Sequence, residues 1–382
     1  MIERQVRQLI RDRLKDYPAV GLVGPRQCGK TTLAQSMGGA YFDLEQESER
    51  LRLDLEWDDL ASGKRLAILD EAQAWPEVFA RLRGEIDRDR KMNGRFLLLG
   101  SVSPSLMVQV SESLAGRLSL FELTPLLSSE TPSKISLDKH WLHGGYPDGG
   151  ILTPKRYPRW QLDYLSLLVQ RDLPAWGLPA TPATTNRLIR MLAALHGQTW
   201  NASQVGKSLG LSYHTVNNYL DYLEGAFLIR RLQPYQANIK KRLVKSPKIY
   251  WRDSGLLHAL LNVPDKRALL EQPWVGASWE GFVIQEAIGF LSSLGRRFDP
   301  FYFKTSHQQE LDLVLDFGNE RWAVEVKLSA SPGPDDMKKL DLAADMIRAS
   351  KRFLVSQTSR PSGGEDRASL NMTGFMERLL DT

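Results

Sequence analysis

Gly24-Pro25-Arg26-Gln27-Cys28-Gly29-Lys30-Thr31 decides the fold, because it matches G-x-x-x-x-G-K-[ST] at every fixed position. An apolar run at 20–23 precedes it and reads as a short strand. Residues 31–37 follow it and read as a helix. Strand, loop and helix in that order are the context the motif needs. The glycines let backbone N–H groups turn toward phosphate oxygens. The start of the helix adds a partial positive charge. Lys30 is expected to reach the β- and γ-phosphates of ATP, and Thr31 to place its hydroxyl on Mg²⁺. Gly24, Pro25, Arg26, Gln27, Cys28, Gly29 and Thr32 complete the expected nucleotide-binding loop. The competing reading is a Gly-rich turn with a chance lysine, and the strand–helix context argues against it.

Outward from this loop, strands and helices alternate. Residues 3–15 carry Val6, Leu9, Ile10 and Leu14 at helical spacing. Residues 41–44, 66–69, 96–99 and 118–123 read as strands, and 78–88 as a helix. Consecutive apolar positions at 66–69 and 96–99 suit buried parallel strands. The alternation predicts an α/β fold, a parallel sheet with helices on both faces. The strand at 66–69 delivers Asp70 to the metal side of the site, where Glu71 can orient or deprotonate a water. The strand at 41–44 falls between the two motifs and favours the ATPase branch with an inserted strand. Alone, Asp70-Glu71 also suits a helix cap. Ser101 ends the strand at 96–99, where a hydroxyl can sense the γ-phosphate or hold the water; a turn or N-cap role beside Val102 and Ser103 is the alternative. Arg117 precedes the last strand. It is a candidate finger on a neighbouring subunit's nucleotide, which would require a homo-oligomer, or else a surface ion pair.

The whole chain has 382 residues, enough for two or three domains at roughly 150 residues each. Apolar residues make up 42% and charged residues 25%, which excludes global disorder. No apolar run approaches the ~18–20 residues of a membrane span. Charges at nearly every helical turn of the N-terminus argue against a signal peptide. The single cysteine, Cys28, excludes an internal disulfide and a thiolate metal site, and a reducing cytoplasm fits. The histidines occur singly, without metal-ligand spacing. The formal charge of +5 is uneven. Arg230, Arg231, Lys240, Lys241, Arg242, Lys245, Lys248 and Arg252 share segment 229–252 with no acid, while 43–59 is strongly acidic. That pattern points to a local anionic partner.

Pro125 and Pro132 flank a Ser-rich boundary. The expected domains are 1–126 around the nucleotide loop, a helical lid at 127–195, a winged helix-turn-helix at 196–252, and an α/β module at 253–382. Residues 359–366 are polar and Gly-rich, and a flexible segment is expected there. In 201–223, Gly206, Gly210 and Val216 have the spacing of a helix-turn-helix, with Val205, Leu209, Leu211, Val216 and Leu220 as its core. Ser212 would cap the second helix and expose Tyr213, His214, Asn217 and Asn218 to base edges or phosphates. DNA is the expected partner of this face and of segment 229–252, and a protein partner is the alternative. Trp251 and Trp279 read as packing residues.

Residues 275–330 hold a second constellation: Glu280 on a helix, Asp312 on a strand, and Glu325-Val326-Lys327 on the next. Glu325 and Lys327 share one face because strand side chains alternate. Asp312 and Glu325 can hold Mg²⁺, and Lys327 can stabilise a developing charge. Glu286 is the alternative helical acid. An amphipathic sheet with solvated charges is the competing reading.

Longer stretches tie these elements together: the GPRQxGKTTL loop, LDEAQ at 69–73, LLGS at 98–101, SLAGR at 113–117 with ELTPL at 122–126, His143-Gly-Gly-Tyr-Pro147, and Gln170-Arg-Asp-Leu173. Lys245-Ser-Pro-Lys-Ile-Tyr250 and Arg252-Asp-Ser-Gly255 continue them. Over residues 1–330 the chain resembles the predicted prokaryotic AAA+ superfamily ATPases that carry a C-terminal domain of unknown function. The resemblance implies a P-loop ATPase. It also implies a C-terminal module related to the PD-(D/E)XK nuclease fold, whose motif positions Asp312, Glu325 and Lys327 match. An ATP-gated nuclease and a nucleotide-dependent interaction switch on an inactive nuclease-like scaffold both follow as alternatives to a DNA-coupled ATPase.

Overall fold

The computed structural model describes residues 2–63, 65–101, 114–236, 243–306 and 309–382. Val102, Ser103, Ser113, Lys240, Lys241 and Arg242 lie outside the described residues. Five strands form the first sheet: β1 (Ala19–Val23), β2 (Ala40–Asp43), β3 (Ala67–Asp70), β4 (Phe96–Gly100) and β5 (Leu118–Glu122). They run in the order β2-β3-β4-β1-β5, and every pair is parallel. Alternation splits each strand between two cores. Phe42, Leu69, Phe96 and Leu98 pack under the helices Trp57–Ala61 and Glu77–Arg88. Val20, Leu22, Ile68 and Leu97 pack under Val6–Asp16 and Lys30–Gln35. The chain is thus an α/β protein with a parallel sheet between helices. The strand at 40–43 sits at the sheet's edge. It is β4 that separates the loop-bearing β1 from β3, so the inserted strand is the one that Ser101 directly follows.

The remaining strands make one eight-stranded sheet: β6 (Ile229–Pro234), β7 (Lys248–Trp251), β8 (Asp299–Lys304), β9 (Glu310–Asp316), β10 (Arg321–Val326), β11 (Lys351–Val355), β12 (Ser362–Gly363) and β13 (Arg367–Leu370), ordered β12-β13-β11-β10-β9-β8-β6-β7. The segment expected to be flexible at 359–366 pairs with β13 through Ser362 and Gly363. Helices Val275–Ser293 and Met372–Leu380 cover one face, and Pro334–Ile347 the other.

Helices Ala202–Leu209 and Tyr213–Gly225 are joined by a tight turn, with the Ser212 hydroxyl accepting from Thr215 N–H at 3.1 Å. A Cβ on Gly206 would lie 2.6 Å from the Leu211 carbonyl oxygen, so only glycine lets the helices approach this closely. The hydrophobic cores do not divide at 195/196 or 252/253. Trp141 packs edge-on against Trp279 at 5.1 Å, in the core of the second sheet. Leu165 and Leu188 instead share a core with Val216, Leu220, Ile229 and Trp251. β6 itself pairs with β8, so the hairpin after the two helices is continuous with the C-terminal sheet.

Glu286 is buried where the 127–130 connection meets helix Val275–Ser293. Ser128 donates its N–H and hydroxyl to one Glu286 oxygen at 2.8 and 2.6 Å. Burial raises this carboxyl from 4.5 to about 7. The folded chain therefore holds the proton more tightly than the unfolded chain, and this group lowers stability as pH rises from about 4.5 to about 7. Glu286→Gln removes that dependence. Chemical denaturation at pH 5 and pH 8 is expected to show the variant gaining about 2–3 kcal/mol on the unsubstituted chain at the higher pH. Parallel stability at both pH values would contradict the assignment.

Candidate functional site

The crevice at the carboxyl ends of β1, β3 and β4 collects the predicted residues. Gly24 closes β1, where a Cβ would stand 2.2 Å from the Leu123 carbonyl oxygen. Lys30 is buried, and its ammonium donates to the carbonyls of Gly24 and Pro25 at 2.9 Å each and to the Ser101 hydroxyl at 3.2 Å. Thr31 donates its hydroxyl to Asp70 Oδ2 at 2.6 Å. Tyr41, on β2, donates to the same oxygen at 2.9 Å. Burial and the Asp70 charge push the Tyr41 phenol up, which keeps it a donor.

Glu71 adopts φ 49°, ψ 44°, a left-handed backbone that strains a residue with a Cβ. The strain aims its carboxylate into the crevice. Ser101 donates to Glu71 Oε1 at 3.0 Å, and Gln73 Nε2 donates to Oε2. Ser101 therefore links Lys30 to Glu71 through one buried hydroxyl, and Glu71 is no mere helix cap.

These groups open on a cavity of about 820 Å³ between the first sheet and the helices of 137–195. Residues 26–33, Glu71 and Ser101 form its floor; Pro147, Leu152, Tyr164 and Leu167 face them. Ile2 and Leu126 extend the apolar side. Arg26 crosses from floor to roof, donating to the buried Asp172 at 2.8 Å while lying 3.6 Å from Glu45. Arg171 holds the same Asp172 oxygen at 2.9 Å. Arg4 anchors the loop from behind, donating to the Cys28 carbonyl at 2.9 Å and to Glu130 at 3.0 Å. Burial raises the Cys28 thiol, so it is an inert packing group.

The residues present fit a nucleotide and Mg²⁺. Lys30, a loop of backbone amides and the guanidinium groups of Arg26 and Arg171 meet in a cavity of ligand size, beside a hydroxyl–carboxylate pair of the hard oxygen type that Mg²⁺ prefers. Arg117 is elsewhere. It forms a two-pronged pair with Asp87, at 2.9 and 2.8 Å, ahead of β5 at the opposite end of the strands. It therefore does not serve this chain's own crevice.

Glu280, Asp312, Glu325 and Lys327 gather in one place, and two residues outside that set, Lys248 and Glu310, join them. Glu280 and Asp312 converge, but Lys248 stands between them, with Glu310 as a third carboxylate. Glu325 pairs with Lys327 at 2.6 Å. Burial, then Glu280 and Glu325, pushes the Asp312 carboxyl well up. Glu286 faces Ser128 and takes no part. Among the described residues no group of three or more His, Cys, Asp or Glu is arranged to hold a metal ion.

Among the described residues of the basic segment, three are ion-paired within the chain. Arg231 pairs with Asp221 and Glu224, Arg252 with Glu122, and Lys248 with the acids above. Arg230 reaches Gln285 at 3.3 Å. These acids come from elsewhere in the chain, which the local charge count could not show. Lys245 is exposed. Tyr213, His214 and Asn218 are exposed on their helix as expected, whereas Asn217 accepts from Trp200 Nε1 at 2.8 Å. Trp251 and Trp279 are buried. No helix among the described residues is long and apolar enough to cross a membrane.

A family model described as AAA domain matches residues 16–131. Two models described as Domain of unknown function match 134–267 (DUF8612) and 275–373 (DUF4143). Uncharacterized protein Rv2008c of Mycobacterium tuberculosis and Uncharacterized protein Mb2031c of Mycobacterium bovis are each 39% identical over 329 residues, which is 85% of this chain and 73% of theirs. Among solved structures, the Walker-type ATPase PABY2304 of Pyrococcus abyssi is similar with a TM-score of 0.48 and 14% identity, over 68% of this chain and 96% of that one. A RuvB of Thermotoga maritima is similar with a TM-score of 0.31 and 17% identity, over 60% and 90%. The chain belongs to one family with the two mycobacterial proteins, carrying an AAA domain ahead of two domains of unknown function.

Proposed function

We propose that the chain is a Mg²⁺-dependent ATPase that works as a nucleotide-governed interaction switch. The observation carrying this reading is the convergence of Lys30, the Thr31–Asp70 pair and the Ser101–Glu71 pair on one cavity roofed by helices of 137–195. Lys30 would leave the loop carbonyls for the β/γ-phosphates. Thr31 and Asp70 would hold Mg²⁺, whose charge offsets that of the triphosphate. Glu71 would orient the water and accept its proton, with Ser101 fixing the carboxylate. Arg26 couples the site to its roof, since incoming phosphate competes with Asp172 for the guanidinium. Arg117 would act only on a neighbouring copy, after giving up Asp87.

The intrachain pairing of Arg231, Lys248 and Arg252 favours a protein partner over DNA for the C-terminal units. A winged-helix reading of 196–252 then describes a contact module, with Tyr213, His214 and Asn218 as its exposed face. The test is ATP turnover with and without single- and double-stranded DNA, with DNA affinity followed across salt. Turnover indifferent to DNA, with a salt slope near zero, is expected. Strong stimulation by DNA with a steep slope would overturn the protein-partner reading in favour of a DNA-coupled ATPase.

A further inference from the structure

Lys248 is 4% exposed, although it belongs to the most basic stretch of the chain. Strand β7 carries it into the carboxylate centre of the C-terminal sheet. Its ammonium lies 2.9 Å from Glu280, 2.7 Å from Glu310 and 3.8 Å from Asp312. The Tyr302 ring lies 5.5 Å away. Tyr250, two residues on and on the same strand face, donates its hydroxyl to the Glu280 oxygen that Lys248 also holds. Lys304 takes the other Glu310 oxygen at 2.7 Å. The Val326 N–H takes the other Asp312 oxygen at 2.9 Å.

A Mg²⁺ ion needs about six oxygens at about 2.0–2.1 Å in near-octahedral array. Here the oxygens of Glu280 and Glu310 stand at ammonium distances. A divalent ion next to Asp312 would meet a buried positive charge within about 4 Å, in a setting that screens poorly. With Lys248 in place, the oxygens of Glu280, Glu310 and Asp312 therefore do not fit the metal that a PD-(D/E)XK-like centre implies.

We propose that Lys248 is the resident cation of this centre. The centre is an ion-paired joint that fastens the β6–β7 hairpin to the C-terminal sheet, and not a metal-dependent hydrolytic site. Buried carboxylates left without a counter-charge are costly, so this joint fixes how the helix pair at 202–225 sits on the sheet. The inference is independent of nucleotide binding by the first domain.

Its test is Mn²⁺ binding to the full chain, read as loss of the free-ion EPR signal, together with Mn²⁺-dependent nicking of supercoiled DNA. The unsubstituted chain, Asp312→Asn and Glu325→Gln are expected to bind Mn²⁺ alike, and the unsubstituted chain to nick nothing. Lys248→Gln is expected to gain one further Mn²⁺ per chain, bound at least about tenfold more tightly than any ion at this centre in the parent, and to lose it again when Asp312→Asn is added. Mn²⁺ binding by the unsubstituted chain that either single carboxylate substitution abolishes would overturn the proposal, as would Mn²⁺-dependent nicking. A folded Lys248→Gln that gains no ion would also overturn it. Should Lys248→Gln not fold, the comparison between the unsubstituted chain and the two carboxylate variants decides alone.

Discussion

Glu71→Gln is expected to keep ATP bound while turnover falls by about 10²–10⁴-fold, the usual contribution of a positioned general base. The amide has the shape of the carboxylate and can still accept from Ser101, as Glu71 Oε1 does at 3.0 Å. The strained backbone at φ 49° is a property of the chain at this position and is unchanged. What disappears is the capacity to accept a proton from the attacking water. The loss should therefore fall on kcat and leave KM nearly untouched. Single-turnover assays with filter-bound nucleotide separate the two. Unchanged turnover would mean that Glu71 is not the base, and another would have to be sought.

The nucleotide crevice was legible in the sequence because its chemistry is local. The loop carries its own strand, turn and helix start, and Asp70-Glu71 ends an apolar strand. Ser101 was ambiguous, because strand order decides its neighbours: β4 lies beside β1 only through the crossover of the sheet. Arg26–Asp172 spans 146 positions, so no spacing could predict it. Lys248 was misread for a related reason. A count of charge within 229–252 sees no acids, yet Glu280, Glu310 and Asp312 arrive from later elements. Two signals were available. Lys248 begins the otherwise apolar Lys248–Trp251 strand, which marks burial, and Glu310 shares a strand face with Asp312 at period two. The domain boundaries were the least legible. Trp141 and Trp251 each pack across the limits expected at 195/196 or 252/253.

Lys30→Ala is expected to weaken ATP binding by about 10²-fold, since a hydrogen bond to a charged group contributes about 1.5–3 kcal/mol. The lysine also gathers the Gly24 and Pro25 carbonyls, so its removal loosens the loop that presents amides to phosphate. Neither effect should disturb the C-terminal sheet, whose core is separate from the two cores flanking β1. Isothermal titration of ATP with Mg²⁺ into the unsubstituted chain and into Lys30→Ala therefore bears on the whole account. Saturable heat at about one nucleotide per chain, shifted to much weaker binding in the variant, is the predicted result. Equal heats from both proteins, or none from either, would contradict it.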